Sequence, residues 1–399
     1  MLNKPKLLIS AYRCLPNQGS EDEVGFQWIK NHISKNKFEI FILTQSKNKA
    51  IESFINLKKN KIKIIYHDLS MIPHKRKRSG LKLRVYYYLW QLSAYHVIKR
   101  NYGKDFFQFI HHVTFCSIKY PIFLSFLKAN FIFGPIGGGE ISPIKFYKGF
   151  DLLDKFKEAV RLTYVKCMFF FPFVFLTFLN SKIIYVANKE TKNSIPNFFS
   201  KKIKLMTQIG LANDKVINNN NKKNFRILFV GRFIQIKGID IIIDILKNLP
   251  SSFDYSMTFV GAGKYKSKII NFKNHNKSKV NLIDHVDNSK MLSFMSKFDL
   301  LLFPSLRDSG GFVVIEAIKA GIKVLCLNLG GPGLLLSRDN GIKIDANSGD
   351  RLTIIKKFVN EILRLNALKD KKKLKSNKIS NSLLWKNKVN ILYKDLKNF

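Results

Sequence analysis

Acidic residues are scarce in this chain. Its 399 residues carry 27 Asp and Glu against 69 Lys and Arg, a formal net charge of +42 with His neutral. Such an imbalance attracts polyanions: nucleic acid, an anionic membrane surface or phosphorylated substrates. Part of it is a lysine- and asparagine-rich bias spread over solvated faces. Cysteine is scarce as well. Cys14, Cys116, Cys167 and Cys326 lie far apart, with no CxxC or CxH spacing. That argues against a zinc site or a disulfide framework and suits a reducing cytosol. No DxD-type acidic cluster is evident. The most apolar run, Cys167 to Leu179, has 13 residues and is interrupted by Pro172, short of the roughly 20 that a spanning helix needs. It reads as a core helix or an acceptor-facing wall; partial membrane insertion, with Arg161 and Lys166 nearby, is the other reading. Met1 to Tyr12 holds only the short apolar run Leu7 to Ile9, so no secretory signal is expected there.

What is present suits a globular protein of two ordinary domains: 46% of residues are hydrophobic, enough for real cores. Leu7 to Tyr12 reads as a buried strand. Ser20 with Glu23 has the S-x-x-E spacing of a capping box, which predicts a helix start. Phe38 to Thr44 and Ile62 to Tyr66 read as further strands. Strand-helix alternation predicts a parallel sheet covered by helices, and in such sheets ligands bind beyond the carboxyl ends of the strands. The loop at Gly19, Ser20 and Glu21 is therefore a candidate site. His74 to Arg84 carries Lys75, Arg76, Lys77, Arg78, Lys82 and Arg84 without an acid, and the aromatic stretch Val85 to Trp90 follows. This suits an anionic lipid surface, and equally an amphipathic helix that buries its aromatics. Phe109 to Thr114 reads as a strand carrying His111 and His112. Phe131 to Glu140 reads as a strand running into Gly137, Gly138 and Gly139, which leave the backbone open to a substrate, with the Glu140 carboxylate beside them. Lys182 to Ala187 reads as the last strand of this half. Asn218 to Asn224 is polar and low in complexity, hence a surface loop.

A second alternating unit starts at Phe225 to Val230. The stretch VGRFIQIKG puts Gly231, Arg232 and Lys237 on a strand-to-helix loop, where two cations can grip a diphosphate, Arg by its planar fork and Lys as a point charge. Met257 to Gly263 reads as a strand with a glycine turn at Gly261, but it lacks GxGxxG and is no dinucleotide fingerprint. The rest is organised around Phe303 to Gly321, FPSLRDSGGFVVIEAIKAG. A buried strand end, Leu300 to Phe303, meets a turn with Asp308, Gly310 and Gly311, then a helix from Phe312 stopped by Gly321. The first amides of a helix lack internal partners, and its dipole favours negative charge there. Asp308 can accept from hydroxyls, and Glu316 can reach the same site from the helix. A diphosphate flanked by two hydroxyl-rich rings, a nucleotide-sugar, would fill it.

These motifs resemble a known family. PSxxDSGGFVxxEAxxxG, with its acidic pair Asp308 and Glu316, looks like the donor-site motif of retaining glycosyltransferases of family 4, whose first acid is more often Glu. GRxxxxKG at 231–238 matches completely. GSEDEVG at 19–25 resembles the family's GSEPxVG loop, with Asp22 for the usual Pro. GPIGGGE at 134–140 resembles a segment of one subset. The resemblance implies an α/β fold of the GT-B type: two doubly wound Rossmann-like domains facing across a cleft. It implies an acceptor-binding domain at 1–207, a nucleotide-sugar-binding domain at 208–380, and a C-terminal helix at 381–399 crossing back to the first.

The implied activity is transfer of a hexosyl unit from a UDP- or GDP-linked sugar to a saccharide or lipid-linked acceptor, with retention, in bacterial surface polysaccharide assembly (O-antigen, capsule or lipopolysaccharide). Catalysis would rest on His112, facing the donor sugar with His111 as the fallback, and on Asp308, Arg232 and Lys237. Gly19, Ser20, Gly231, Gly261, Gly310, Gly311, Phe312 and Glu316 would line the donor; Gly138, Gly139 and Glu140 would serve the acceptor. No cofactor or metal is required, because Arg232 and Lys237 supply the positive charge. The expected place is the cytoplasm, peripheral on an anionic membrane surface, without nucleic acid as a partner. A nucleotide-sugar epimerase of the same plan, needing carboxylates around the sugar and no acceptor, is the alternative enzyme. A basic nucleic-acid-binding protein is the non-enzymatic one; it would need cations clustered with exposed aromatics on one face.

Overall fold

The computed structural model describes residues 4–397 except 17, 56–61, 70–79, 214–215, 217–223, 277–278 and 371–378. Lys75, Arg76, Lys77 and Arg78 of the basic run, and nearly all of the Asn-rich loop, lie outside the described residues. The chain divides into two compact units. One comprises Met1–Gly139, Thr163–Gln208 and Trp385–Phe399; the other comprises Glu140–Leu162 and Ile209–Leu384.

The first unit is built on seven parallel strands: β1 (Lys6–Ser10), β2 (Glu39–Thr44), β3 (Lys63–Tyr66), β4 (Phe109–His112), β5 (Asn130–Ile136), β6 (Ser181–Val186) and β7 (Ile203–Leu205), in the order β3-β2-β1-β4-β5-β6-β7. Its helices are α1 (Ser20–Lys35), α2 (Gly80–Tyr102), the shorter, C-terminal part of α3 (Leu152–Cys167), α4 (Pro172–Asn180) and α5 (Lys189–Asn193). The second unit repeats the plan with β8 (Phe225–Val230), β9 (Tyr255–Val260), β10 (Val280–Ile283), β11 (Leu300–Phe303), β12 (Lys323–Leu327) and β13 (Gly341–Ile344), ordered β10-β9-β8-β11-β12-β13 and all parallel. Its helices are α6 (Ile239–Lys247), α7 (Lys266–Asn274), α8 (Asn288–Met295), α9 (Phe312–Lys319), α10 (Gly330–Leu335) and α11 (Arg351–Asp370). The last helix, α12 (Trp385–Leu396), belongs to the first unit.

Central strands covered on both faces read as unbroken apolar runs. β11 is such a run, and β8 and β12 depart from it only at Arg226 and Lys323; every residue of the three is buried. In each sheet the strand order reverses direction beside its first strand, between β1 and β4 and between β8 and β11. The crevice at the carboxyl ends there is where a doubly wound sheet takes a ligand. The topology thus singles out four loops: those after β1, β4, β8 and β11.

Three expectations are modified. α1 starts at Ser20, but its N-cap is Gly19 and no side chain caps it; Ser20 is already helical, so the capping box does not form. The apolar run after Cys167 splits. Met168, Val174 and Phe178 are buried, while Phe170, Phe171, Phe173, Phe175 and Leu179 are exposed, so only one stripe of it is core. The segment 140–162 packs with the second unit rather than the first. Electrostatics hold it there: Lys264 reaches Asp151 at 2.7 Å, Tyr265 donates to Asp154 at 3.2 Å, and Arg307 clasps the buried Glu158.

Candidate functional site

The loops after β8 and β11 are knitted together. Leu306 N–H donates to the Ile236 carbonyl at 2.9 Å. Gly238 has φ +78°, and a Cβ there would overlap the Pro304 carbonyl oxygen, so only glycine lets the two loops close. That closure brings the next residue in, Lys237, onto the turn before α9. Its Nζ lies 2.5 Å from Asp308 Oδ2 and 5.4 Å from the Phe303 ring centroid. The other carboxylate oxygen, Oδ1, accepts from the Gly310 and Gly311 amides at 3.2 and 2.8 Å.

Asp308 therefore does not stand apart at the mouth of the turn. As an anion two and three residues ahead of two free amides, it folds back onto them and onto Lys237, forming a small anion cradle. Gly330 and Gly331 press against the backbone of this turn, and Gly331 N–H donates to the Asp308 carbonyl at 2.8 Å. On the far side, a Cβ on Gly261 would overlap the Gly231 carbonyl. Arg232 is exposed, and its side chain makes no ion pair or hydrogen bond among the described residues. Phe312 and Glu316 share one face of α9. Burial pushes the Glu316 carboxyl up to about 7, and no described group donates to it. Among the described residues no group of three or more His, Cys, Asp or Glu could hold a metal ion.

In the first unit, α1 runs against the reversal point of its own sheet. A Cβ on Gly25 would overlap the Arg13 carbonyl and lie 2.8 Å from Thr114 Cγ2, so the last glycine of GSEDEVG is a packing requirement. Gly19, at φ +133°, faces open space, and Ser20 beside it is exposed. Glu21 accepts from the Phe115 amide in the loop after β4, and burial raises its carboxyl. Asp22, where the family's proline stands, pairs with Arg13 at 3.5 Å.

His112 ends β4 and is fully buried. Its Nε2 lies 3.0 Å from the Tyr87 hydroxyl and its Nδ1 3.0 Å from Ser10 Oγ. Burial, with a smaller push from His111, lowers it to about 3, so the ring is neutral at physiological pH. His111 is buried too, between the Gly134 carbonyl at 2.9 Å and His32 at 3.1 Å.

The glycines at 138 and 139 are explained by the fold. A Cβ on Gly138 would sit 2.7 Å from Ser117 Oγ, and one on Gly139 2.7 Å from Thr191 Cα. The space expected to be open to a substrate is filled by neighbouring protein. Glu140 is buried with Arg161, at 3.9 Å, inside the second unit.

Residues 212–379 match the family model "Glycosyl transferases group 1". The cradle of Lys237, Asp308, Gly310 and Gly311 lies inside that segment. An uncharacterized glycosyltransferase of Methanocaldococcus jannaschii is 31% identical over 205 residues, 50% of this chain and 55% of that protein. The capsular polysaccharide biosynthesis glycosyltransferase CapM of Staphylococcus aureus is 28% identical over 210 residues, 49% of this chain and 54% of that one. The chain thus spans about half the length of the curated relatives it matches. Among solved structures, the lipopolysaccharide outer core galactosyltransferase WaaB superposes with a TM-score of 0.58 at 12% identity, over 98% of this chain and 99% of that one. Anabaena HepE, solved in complex with UDP, gives 0.53 at 12% identity over 99% and 100%. The fold is that of GT-B glycosyltransferases, two Rossmann-like domains.

Sequence reasoning missed the Arg307–Glu158 pair, which anchors α3 one residue from Asp308. Its signal was available. Between Asp105 and Glu190 the only acids are Glu140, Asp151, Asp154 and Glu158, and in so basic a chain each finds a cation or a hydroxyl.

Proposed function

We propose that this chain moves a hexosyl unit from a UDP- or GDP-linked sugar to a hydroxyl of a saccharide acceptor, with retention at the anomeric carbon, during assembly of a surface polysaccharide. The observation that carries the reading is the cradle at the β8/β11 reversal point. One lysine and two backbone amides converge there on a single carboxylate, within a segment matching group 1 glycosyltransferases. A pyrophosphate is the stronger anion. It competes with Asp308 for Lys237 and the Gly310 and Gly311 amides, and the released carboxylate turns to the sugar hydroxyls. Arg232, exposed and unpaired among the described residues, closes on the same diphosphate. These fixed donors stabilise the leaving group as charge develops on it, so no metal is needed. Glu316 accepts from the ribose hydroxyls, and Gly261 gives the backbone room at the phosphate side.

His112 is neutral and buried, with both ring nitrogens held by Tyr87 and Ser10, which suits positioning of the β1 and β4 strand ends rather than contact with the donor sugar or proton transfer. Gly19 and Ser20 offer the open backbone on the acceptor-binding unit. Relatives named for capsule and teichuronic acid synthesis support a polysaccharide acceptor. The charge of +42 supports one held at an anionic membrane on its cytoplasmic side.

A panel of UDP- and GDP-sugars, screened by thermal shift and then by transfer to lipid-linked and free saccharides, tests this reading. Stabilisation and nucleotide release dependent on acceptor are expected. An epimerised sugar nucleotide formed without any acceptor contradicts it.

A further inference from the structure

We propose that the first unit docks on an anionic lipid bilayer through one specific face, made by the outer sides of α2 and α4 and the elbow that precedes α4. The inference deepens, and rests on, the reading of a membrane-held acceptor. At the elbow, the helical stretch Leu152–Phe170 turns by 63° into Pro172–Asn180. Phe170 at the bend is 85% exposed, Phe171 49% and Phe173 50%. On α2, Val85, Tyr88 and Leu89 point outward while Tyr86, Tyr87 and Trp90 are buried.

The two exposed sets form one surface. The Phe123 ring lies 5.3 Å from Tyr88 and 5.6 Å from Phe173, and Tyr164 lies 5.7 Å from Phe171. Soluble proteins rarely leave so continuous an aromatic patch uncovered unless something binds it.

Charge decides what that is. No Asp or Glu occurs between residues 80 and 104, between 106 and 139, or between 159 and 189, the stretches that build this face. Lys82, Arg84 and Lys166 around it are exposed, and Arg84 interacts electrostatically with Tyr164. Aromatics that insert among headgroups, ringed by cations and free of acids, are the requirements of an anionic lipid interface. Among the described residues no single helix is long and apolar enough to cross a membrane; the bent pair Leu152–Phe170 and Pro172–Asn180 reaches that length and apolarity only together.

Cys167 supplies a reporter beside the elbow, because it is exposed and the other three cysteines are buried. The full chain is labelled there with an environment-sensitive fluorophore. It is then mixed with vesicles of phosphatidylcholine alone or with about a third phosphatidylglycerol, an anionic share within the range that attracts basic surfaces. A blue shift and several-fold rise in emission are expected with anionic vesicles only. Phe171→Ser with Phe173→Ser should weaken vesicle binding about tenfold or more, with the melting temperature and the thermal shift from UDP unchanged. Vesicle binding without any change at the Cys167 label, or equal binding by the double variant, overturns the assignment. A label response in a chain that binds no nucleotide supports the face and removes the glycosyl-transfer reading; turnover without the response does the reverse.

Discussion

Lys237 and Asp308 are drawn together by a contact of 2.5 Å, and in the proposed reaction that lysine is handed to the leaving diphosphate. Lys237→Ala should lower turnover by about a hundred- to a thousand-fold, the scale seen when one preorganised charge donor is lost, while the melting temperature changes little. Near-normal turnover in this variant counts against the assignment. Glu316 gives a pH test with a definite sign. Its folded value of about 7 lies above the 4.5 of an ordinary Glu, so between those values the folded chain holds the extra proton. Its contribution to stability is full below about 4.5 and is lost as pH rises through about 7. A ribose hydroxyl donates to the ionised carboxylate, so UDP affinity should rise over the same upper range. Glu316→Gln should flatten both slopes; titration calorimetry with UDP at about pH 6 and about pH 8 reads the second. At this scale the sequence was legible where spacing sets position, as for Lys237 and Asp308, which two separate motifs bring within 2.5 Å. It was not legible for His112, whose partners Ser10 and Tyr87 come from β1 and α2, or for Glu140, whose partner Arg161 lies on α3 in the same second unit.

Elements were easiest to read where burial is total. β8, β11 and β12 have the bounds expected from the sequence, although Arg226 and Lys323 lie within them. The half-exposed edge strand β3 of the other sheet is one residue shorter than the apolar pattern suggests. Helix starts were less legible, because S-x-x-E at Ser20 specifies a helix but not which residue caps it. Glycine runs were misleading in another way. Gly138 and Gly139 look like substrate clearance but answer to Ser117 and Thr191, contacts that only the folded chain creates. The loop between β8 and α6 makes the contrast testable. Gly238→Ala places a methyl group on the Pro304 carbonyl at φ +78° and should destabilise the second unit by about 1–3 kcal/mol, seen in denaturant unfolding. It should also weaken UDP binding, because Lys237 moves with the loop. Gly19→Ala, equally positive in φ at +133° but with nothing within 4 Å, carries the backbone strain without the clash. It should therefore destabilise the first unit by less than Gly238→Ala destabilises the second.

The whole molecule was legible as a plan: alternating strands and helices imply parallel sheets, and each sheet has the reversal that creates a ligand crevice. The return of α12 to the first unit is as the resemblance implied; what escaped was the path of 140–162, which joins the second. That path is set by scattered pairs such as Lys264–Asp151, and the return of α12 by Trp28 against Trp385, 5.4 Å apart. No periodicity encodes contacts between residues so far apart in sequence. The central claim concerns where a pyrophosphate lands, and the structure of the chain soaked with UDP tests it most directly. The account predicts the β-phosphate on the Gly310 and Gly311 amides, with Lys237 and Arg232 closed upon it and Asp308 displaced. A diphosphate bound away from those residues, with the Lys237–Asp308 pair intact, contradicts it.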